Sequence, residues 1–238
     1  MEPNLATTQR MFEFVFKMFG QGFAALPQKG MKAIPEQLHK QLKSGTVQFK
    51  QRVSSINSSE IELEDGRILR AREIVLASDM TNASKLTQNH IPDRGWNKTQ
   101  CSYFTSRKSP LPEPIVALNG SGTGCITNIV VPTDVRAGYG NGNDALICVS
   151  TSEPVGADRL KEELQTWFGS EAESFEFIKD YHIPHALPRQ LPGDNAFGQA
   201  SLKTKSGIWL CGDYRYSSSI QGAMASGRFT AKAIIEQY

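Results

Sequence analysis

The sequence is most constrained near its carboxyl end. There Gly207-Ile208-Trp209-Leu210-Cys211-Gly212-Asp213 runs through the polar turn Tyr214–Ser218 into Ser219-Ile220-Gln221-Gly222-Ala223-Met224-Ala225-Ser226-Gly227-Arg228 and on to Ile235. The short, unbroken apolar run reads as a strand buried on both faces, as in a parallel sheet. Gly212-Asp213 ends it where open α/β sheets place their chemistry, beyond the carboxyl ends of the strands. The next segment reads as a helix with a hydroxyl at its start and an apolar stripe of Ile220, Met224, Gly227, Ala231 and Ile234. Gly222, Ala223, Ala225, Ser226 and Gly227 thin its first turns, at about 1 kcal/mol for each helical glycine. That composition predicts close approach to another group. Free N–H groups and the positive end of the helix dipole favour an anionic or electron-rich partner by roughly 0.3–1 kcal/mol when exposed. Asp213, acceptor-only when ionised, suits a hydroxyl. A strand, turn and capped helix closing any α/β domain is the alternative that local physics leaves open.

Upstream, Thr8–Phe19 reads as a helix with Phe12, Val15, Phe16 and Phe19 on one face. Core packing is the expectation for that face, and a wall for a hydrophobic substrate or a shallow membrane contact is the alternative. Met31–Leu42 follows as a helix with Ile34, Leu38 and Leu42 in line, its Pro35 close enough to the start to be tolerated. Val47–Lys50 and Arg52–Ile56 read as strands. Glu60–Ile68 alternates polar and apolar residues into Asp65-Gly66, a two-residue hairpin signal with Glu60, Glu62 and Glu64 on the solvated face. Ile74–Ala77 reads as a buried strand returning to the parallel sheet and ending at Ser78-Asp79. From about Thr81 to His185 the runs Gln100–Ser106, Pro114–Asn119, Cys125–Val131, Ala145–Thr151 and Phe175–His185 are β-like, interrupted by one helix, Ala157–Phe168. Strands without regular intervening helices predict an antiparallel-rich sheet backed by a helix, an α+β arrangement.

The 238 residues make one large or two small domains, and a net charge of +2 carries no nucleic-acid footprint. Cys101, Cys125, Cys148 and Cys211 are widely spaced without a CxxC pair, which argues against a zinc site and a disulfide scaffold; no metal is expected. Reduced, core-facing thiols in a cytoplasmic protein are the simplest account, with Cys211 a plain packed thiol. No apolar run approaches the ~18–20 residues that span a bilayer. A serine hydrolase's GxSxG elbow is absent.

The segment GIWLCGDYRYSSSIQGAMASGRFTAKAI closely resembles the carboxyl-terminal signature of the FAD-dependent amine oxidoreductase superfamily, which includes monoamine oxidases, protoporphyrinogen oxidase and phytoene desaturase-like enzymes. A second block, Gly30–Leu42, Val53–Ile56 and Ile74–Ala77, looks like that family's central FAD-domain segment. The resemblance implies FAD as cofactor, with Asp213, after Gly212, holding the ribityl chain. It places Ser219, Ile220, Gln221 and Gly222 under the flavin pyrimidine edge, lets Val53 contact the adenine through its backbone, makes Ala77 a cofactor-binding residue and turns the strand end at Ser78-Asp79 to the cofactor side. His185, in a run leading to an Ala-Leu-Pro stretch that relatives share, is the candidate catalytic residue near the ring.

One departure stands out. The family opens with a strand–GxGxxG–helix unit for the FAD pyrophosphate, and this sequence has none. Gly120-Ser-Gly122-Thr-Gly124 leads into a β-like run, and Gly138, Gly140 and Gly142 sit in a polar loop. The expected architecture is therefore α/β plus α+β. A partial FAD-binding, glutathione-reductase-like parallel sheet region takes residues 26–79 and 188–238, and an antiparallel-rich substrate domain takes 1–25 and 80–187. FAD binding is expected to be incomplete without an N-terminal dinucleotide-binding unit. The implied activity is removal of a hydride from a C–H bond of an amine or a hydrophobic, polyene-like small molecule, with this chain alone expected to be inactive. A non-enzymatic binding module, and a split-flavoprotein subunit that does not hold FAD alone, are the alternatives. A homo-oligomer, a missing N-terminal half and a peripheral membrane contact stay open.

Overall fold

The computed structural model describes residues 6–88, 90–193 and 201–238. In chain order the elements are helices α1 (Gln9–Gln21) and α2 (Ala33–Lys40), strands β1 (Val53–Ile56), β2 (Glu60–Leu63), β3 (Ile68–Arg70) and β4 (Val75–Leu76), and helix α3 (Met80–Leu86). Strands β5 (Trp96–Ser106), β6 (Val116–Leu118) and β7 (Ile126–Val130) follow, then the short α4 (Pro132–Val135), β8 (Ala145–Thr151), α5 (Ala157–Phe168), β9 (Glu176–Pro188), β10 (Trp209–Leu210) and α6 (Ile220–Ile235). Parallel and antiparallel sheets coexist, a mixed α/β fold. Two compact units divide the chain: residues 23–43 and 97–186 form the first, and residues up to 22, 44–96 and from 187 onward form the second.

The first unit is built on a five-stranded sheet of order β6-β7-β8-β5-β9. β5 alternates strictly: Gln100, Ser102, Phe104 and Ser106 are buried, while the residues between them are half-buried. Its antiparallel partner β8 aligns Phe104 with Ile147 and Ser102 with Val149. Leu160 and Leu164 of α5 close on this face with Phe104, Ile129, Ile147, Val149 and Phe175. Each fully buried side chain of this size contributes about 1.5–3 kcal/mol. The observed spans of β8 and α5 coincide with those read from the sequence. Gly120–Gly124 lies in the connection between the antiparallel strands β6 and β7, so no helix opens after it.

The second unit joins a three-stranded antiparallel sheet, β1-β2-β3, to a parallel pair, β4 and β10. Ile74, Leu76, Ala83, Ile91, Ile208 and Leu210 form its core, with Ile56 and Ile61 packed against it. The hairpin at Asp65-Gly66 exists, but its turn holds three residues. Leu63 N donates to Arg67 O and Gly66 N donates to Leu63 O, both at 2.9 Å. Gly66, at φ +82°, supplies the left-handed position that such a turn requires.

Three expectations need correction. Val47–Lys50 is not a strand, and Lys50 has φ +58°, which breaks extended backbone. α2 is shorter than Met31–Leu42, and Leu38 and Leu42 are exposed. α1 is capped by the Thr8 hydroxyl, but its apolar face is not core: Phe12, Phe16 and Phe19 are 67%, 70% and 71% exposed. Phe12 and Phe16 stack on each other instead, with ring centroids 5.7 Å apart.

Candidate functional site at the ends of two parallel strands

β4 and β10 run side by side with Trp209 opposite Val75 and Leu210 opposite Leu76. Their carboxyl ends therefore deliver Ala77, Ser78 and Asp79 on one strand and Cys211, Gly212 and Asp213 on the other to one end of the second unit. The Cys211 N–H donates to Leu76 O at 3.1 Å and carries the pairing one residue past β10. Gly212 then turns the chain at φ +153°. A Cβ there would stand 2.5 Å from the Tyr214 ring, so the tight 3-10 turn Asp213–Arg215 needs glycine ahead of it.

The two carboxylates at this end are in different states. Asp79 caps α3: its Oδ1 accepts from Asn82 N at 3.0 Å and its Oδ2 from Asn82 Nδ2 at 2.6 Å. Burial works against its charge, but these donors hold its carboxyl below the usual aspartate range. Asp213 accepts from Tyr214 N at 2.9 Å. Burial pushes its pKa up, and the nearby charge of Asp79 pushes in the same direction against the turn's amides. Asp213 is thus a half-buried carboxylate whose hydrogen bonds, among the described residues, come from its own turn. Beside it, Tyr214 Oη and Arg215 Nε are buried without a hydrogen-bond partner among the described residues. Buried polar atoms are costly to leave unpaired, so a polar ligand at this turn would satisfy groups that the chain leaves open.

The turn is held from behind. Gln190 Nε2 donates to Tyr216 O at 2.8 Å, its Oε1 accepts from Ser218 N at 3.3 Å, and Ser218 Oγ donates to Pro188 O at 2.7 Å. Ser219 caps α6 by accepting from Gly222 N at 3.0 Å. The first amides of the helix, on Ile220 and Gln221, have no intrahelical acceptor, and both residues are exposed.

α6 meets the rest of its unit through a face that apolar periodicity does not reveal. Its buried residues are Gly222, Ser226 and Thr230. Gly212 N donates to Ser226 Oγ at 3.0 Å, and Thr230 Oγ1 donates to Leu210 O at 3.0 Å. The stripe of Ile220, Met224, Gly227, Ala231 and Ile234 lies off this buried face, and Ile220 and Met224 are about half exposed. Gly222 is thin for a reason inside the chain: a Cβ there would meet Ser217 O at 1.9 Å. No cofactor is needed to explain that glycine.

The second unit thus brings together Ala77, Gly212, Asp213, Ser219, Ile220, Gln221 and Gly222, and Val53 belongs to the same unit on β1, beside a bulge between Val53 and Ser55. His185 lies exposed on β9 in the first unit. Sequence reasoning gave no role to Gln190, Thr230, the Ser226 hydroxyl or the buried Tyr214 Oη and Arg215 Nε, and it missed helix α3. The one available signal was the Ser-Asp-Met-Thr-Asn start of α3, an N-cap pattern. A cavity of about 560 Å³ lies elsewhere, in the first unit, lined by residues of the β6–β7 connection and by Arg159, Glu163 and Trp167 of α5. Its carboxylate is already committed, because Glu163 accepts from Cys125 N at 2.7 Å and Ile126 N at 3.0 Å.

The family model for flavin containing amine oxidoreductases matches residues 2–235, and the chain belongs to that family. FAD is the cofactor of the family. The chain is 30% identical over 99 residues to a 15-cis-phytoene desaturase, chloroplastic/chromoplastic, of Solanum lycopersicum, a match covering 38% of this chain and 17% of the relative. Among solved structures, an Exiguobacterium sp. 255-15 protein assigned as a protoporphyrinogen oxidase is similar at TM-score 0.67 and 13% identity, covering 89% of this chain and 52% of that one. Reduced UDP-galactopyranose mutase is similar at TM-score 0.68 and 14% identity, covering 90% and 53%. At these identities the likeness establishes the fold. The chain spans about half the length of these solved relatives. No helix of the described residues is long and apolar enough to cross a membrane.

Proposed function

We propose that this chain supplies the ribityl, isoalloxazine and part of the adenine contacts of an FAD site in a flavin-dependent oxidoreductase. When bound, FAD would accept a hydride from a substrate C–H bond. Asp213 would accept from a ribityl hydroxyl, the start of α6 at Ser219–Gly222 would present its amides and dipole to the pyrimidine edge, and Val53 would meet the adenine through its backbone. Ala77, at the end of β4, would border the cofactor. The observation that carries this reading is the state of the Asp213 turn: a half-buried carboxylate next to two buried polar atoms that have no hydrogen-bond partner among the described residues, at the carboxyl ends of parallel strands.

The substrate we infer is a small molecule with an oxidisable C–H bond, either an amine or a hydrophobic polyene-like compound. The exposed phenylalanines of α1 support the hydrophobic class and are equally suited to a peripheral membrane contact. His185 is a candidate for contact with the substrate. A cytoplasmic location is part of the same proposal. The residues described here offer no strand–GxGxxG–helix unit, which supports a second reading, that the chain retains FAD only together with a dinucleotide-binding unit.

Visible absorption of the purified chain after mixing with FAD and gel filtration tests both readings. Flavin bands that elute with the chain support independent binding. Bands that appear only when a relative's N-terminal dinucleotide-binding fragment is added support the split reading. A chain colourless under both conditions overturns the assignment and leaves a binding module without cofactor. Where bands appear, Asp213→Ala is expected to weaken FAD retention by about 10–100-fold, the equivalent of one lost hydrogen bond to a charged group.

A further inference from the structure

Cys101 and Cys148 sit on the adjacent central strands β5 and β8. Cys101 lies opposite Ser150 and Cys148 opposite Tyr103, so the two cysteines are diagonal neighbours on the same face of the sheet, the face away from α5. Their sulfurs are 2.9 Å apart. The sulfurs thus stand within about 1 Å of the roughly 2.0 Å disulfide length, on strands that the sheet already pairs. The two thiols also differ in reactivity. Cys101 is half-buried and Cys148 is buried. A hydrogen bond from the Cys148 thiol, helped by the Tyr103 hydroxyl and opposed by burial, holds the Cys101 thiol below the usual cysteine range, while its neighbour is pushed up.

The remaining cysteines lack this arrangement. Cys125 donates to Glu163 Oε2 at 2.8 Å and is pushed up to about 11, first by burial and then by that carboxylate. Cys211 is buried in the second unit and is pushed up by burial alone. Both are held as thiols.

We propose that Cys101 and Cys148 form a redox-active dithiol that a hydroperoxide converts to an intrachain disulfide linking β5 to β8. The Cys101 thiolate attacks one peroxide oxygen; an S–O bond forms, the O–O bond breaks, and the leaving oxygen takes up a proton. The Cys148 sulfur then attacks the Cys101 sulfenic acid; the S–S bond forms, the S–O bond breaks, and the departing hydroxide takes the Cys148 proton as water. Two thiols are oxidised and one hydrogen peroxide is reduced to two waters. This site is independent of the flavin reading, and its test requires no cofactor. It departs from the expectation that all four cysteines are simple packed thiols.

Treating the full chain with hydrogen peroxide, trapping free thiols with iodoacetamide under denaturing conditions and mapping peptides by mass spectrometry tests the proposal. The expected result is one peptide pair joined through Cys101 and Cys148, two hydrogens lighter than the two thiol peptides together, with Cys125 and Cys211 fully alkylated. Cys148→Ser should stop the reaction at a Cys101 sulfenic acid that dimedone captures, and Cys101→Ser should leave Cys148 reduced. If wild-type Cys101 and Cys148 are both alkylated after peroxide has oxidised exposed methionines, the proposal is wrong. A bridge involving Cys125 or Cys211, or Cys101 oxidised beyond the sulfenic acid without bridging, overturns it equally. The wild-type map is decisive even where a serine variant fails to fold.

Discussion

The Ser226 hydroxyl receives the amide proton of Gly212 at 3.0 Å, and one helical turn later the Thr230 hydroxyl donates to the carbonyl of Leu210 at 3.0 Å. Together they fasten α6 along the end of β10 and fix the distance between the Asp213 turn and the start of the helix. Both hydroxyl residues are buried, so their loss leaves backbone groups unpaired rather than hydrated. Ser226→Ala and Thr230→Val should each lower stability by about 1–3 kcal/mol in urea unfolding monitored by circular dichroism. Thr230→Ser, which keeps the hydroxyl, should recover much of the second loss.

This clamp also shows what a single sequence can carry. β8 and α5 could be read to the residue because each has an uninterrupted pattern of its own: a continuous apolar run from Ala145 to Val149, and leucines four apart at 160 and 164. The strand–Gly-Asp–turn–helix order at the carboxyl end was legible for the same reason. The face that α6 buries was not, because Gly222, Ser226 and Thr230 dock by hydrogen bonds and close approach, and apolar periodicity scores neither. α1 failed differently. Periodicity located the face of Phe12, Phe16 and Phe19 correctly, but a periodic face does not say what covers it. The Asp213 carboxylate was legible as a residue, whereas its contrast with Asp79 depends on the pairing of β4 with β10, a contact between segments more than a hundred residues apart.

Gly222 and Gly227 separate packing from propensity within one helix. A Cβ at Gly222 would stand 1.9 Å from the main-chain oxygen of Ser217, an atom that cannot rotate away, whereas nothing lies within 4 Å of the corresponding position at Gly227. Gly222→Ala should therefore destabilise the protein by about 1–3 kcal/mol through a forced backbone shift. Gly227→Ala should stabilise it by about 1 kcal/mol through helix propensity. Thermal unfolding of the two variants checks both signs at once, and equal effects would rule out the Ser217 contact.

Asp213 makes the cofactor-free protein sensitive to rising pH. Its folded pKa is raised, chiefly by burial and further by Asp79, so the native state holds this proton more tightly than the unfolded chain does. Its contribution is fully present below the ordinary aspartate range and is lost as pH climbs through the raised folded value. Asp213→Asn should flatten that part of the stability profile and match or exceed the wild type at neutral pH. Urea midpoints of the wild type and Asp213→Asn, measured side by side from acid to neutral pH without FAD, provide the check; a difference between the two that does not move in favour of the variant as pH rises would contradict a raised Asp213 carboxyl.

Glu163 should act with the opposite sign. Burial opposes its charge, but Cys125 Sγ at 2.8 Å, the amides of Cys125 and Ile126, and the charge of Arg159 together hold its carboxyl below the usual glutamate range. The stabilisation from this carboxylate is therefore present above the ordinary glutamate pKa and is lost as pH falls through the depressed folded value. Gly124, at φ +82°, leaves room for it, since a Cβ there would overlap the carboxyl at 2.2 Å. Glu163→Ala should cost about 1–3 kcal/mol at neutral pH by stranding the Cys125 and Ile126 amides. Glu163→Gln keeps an acceptor but places an NH₂ group against the Cys125 and Ile126 donors, so it should fall between alanine and the wild type at neutral pH. Only the wild type should steepen in its loss of stability on acidification, because only it has a proton to take up at this position. Parallel acid limbs for all three proteins would show that Glu163 is not the group that titrates.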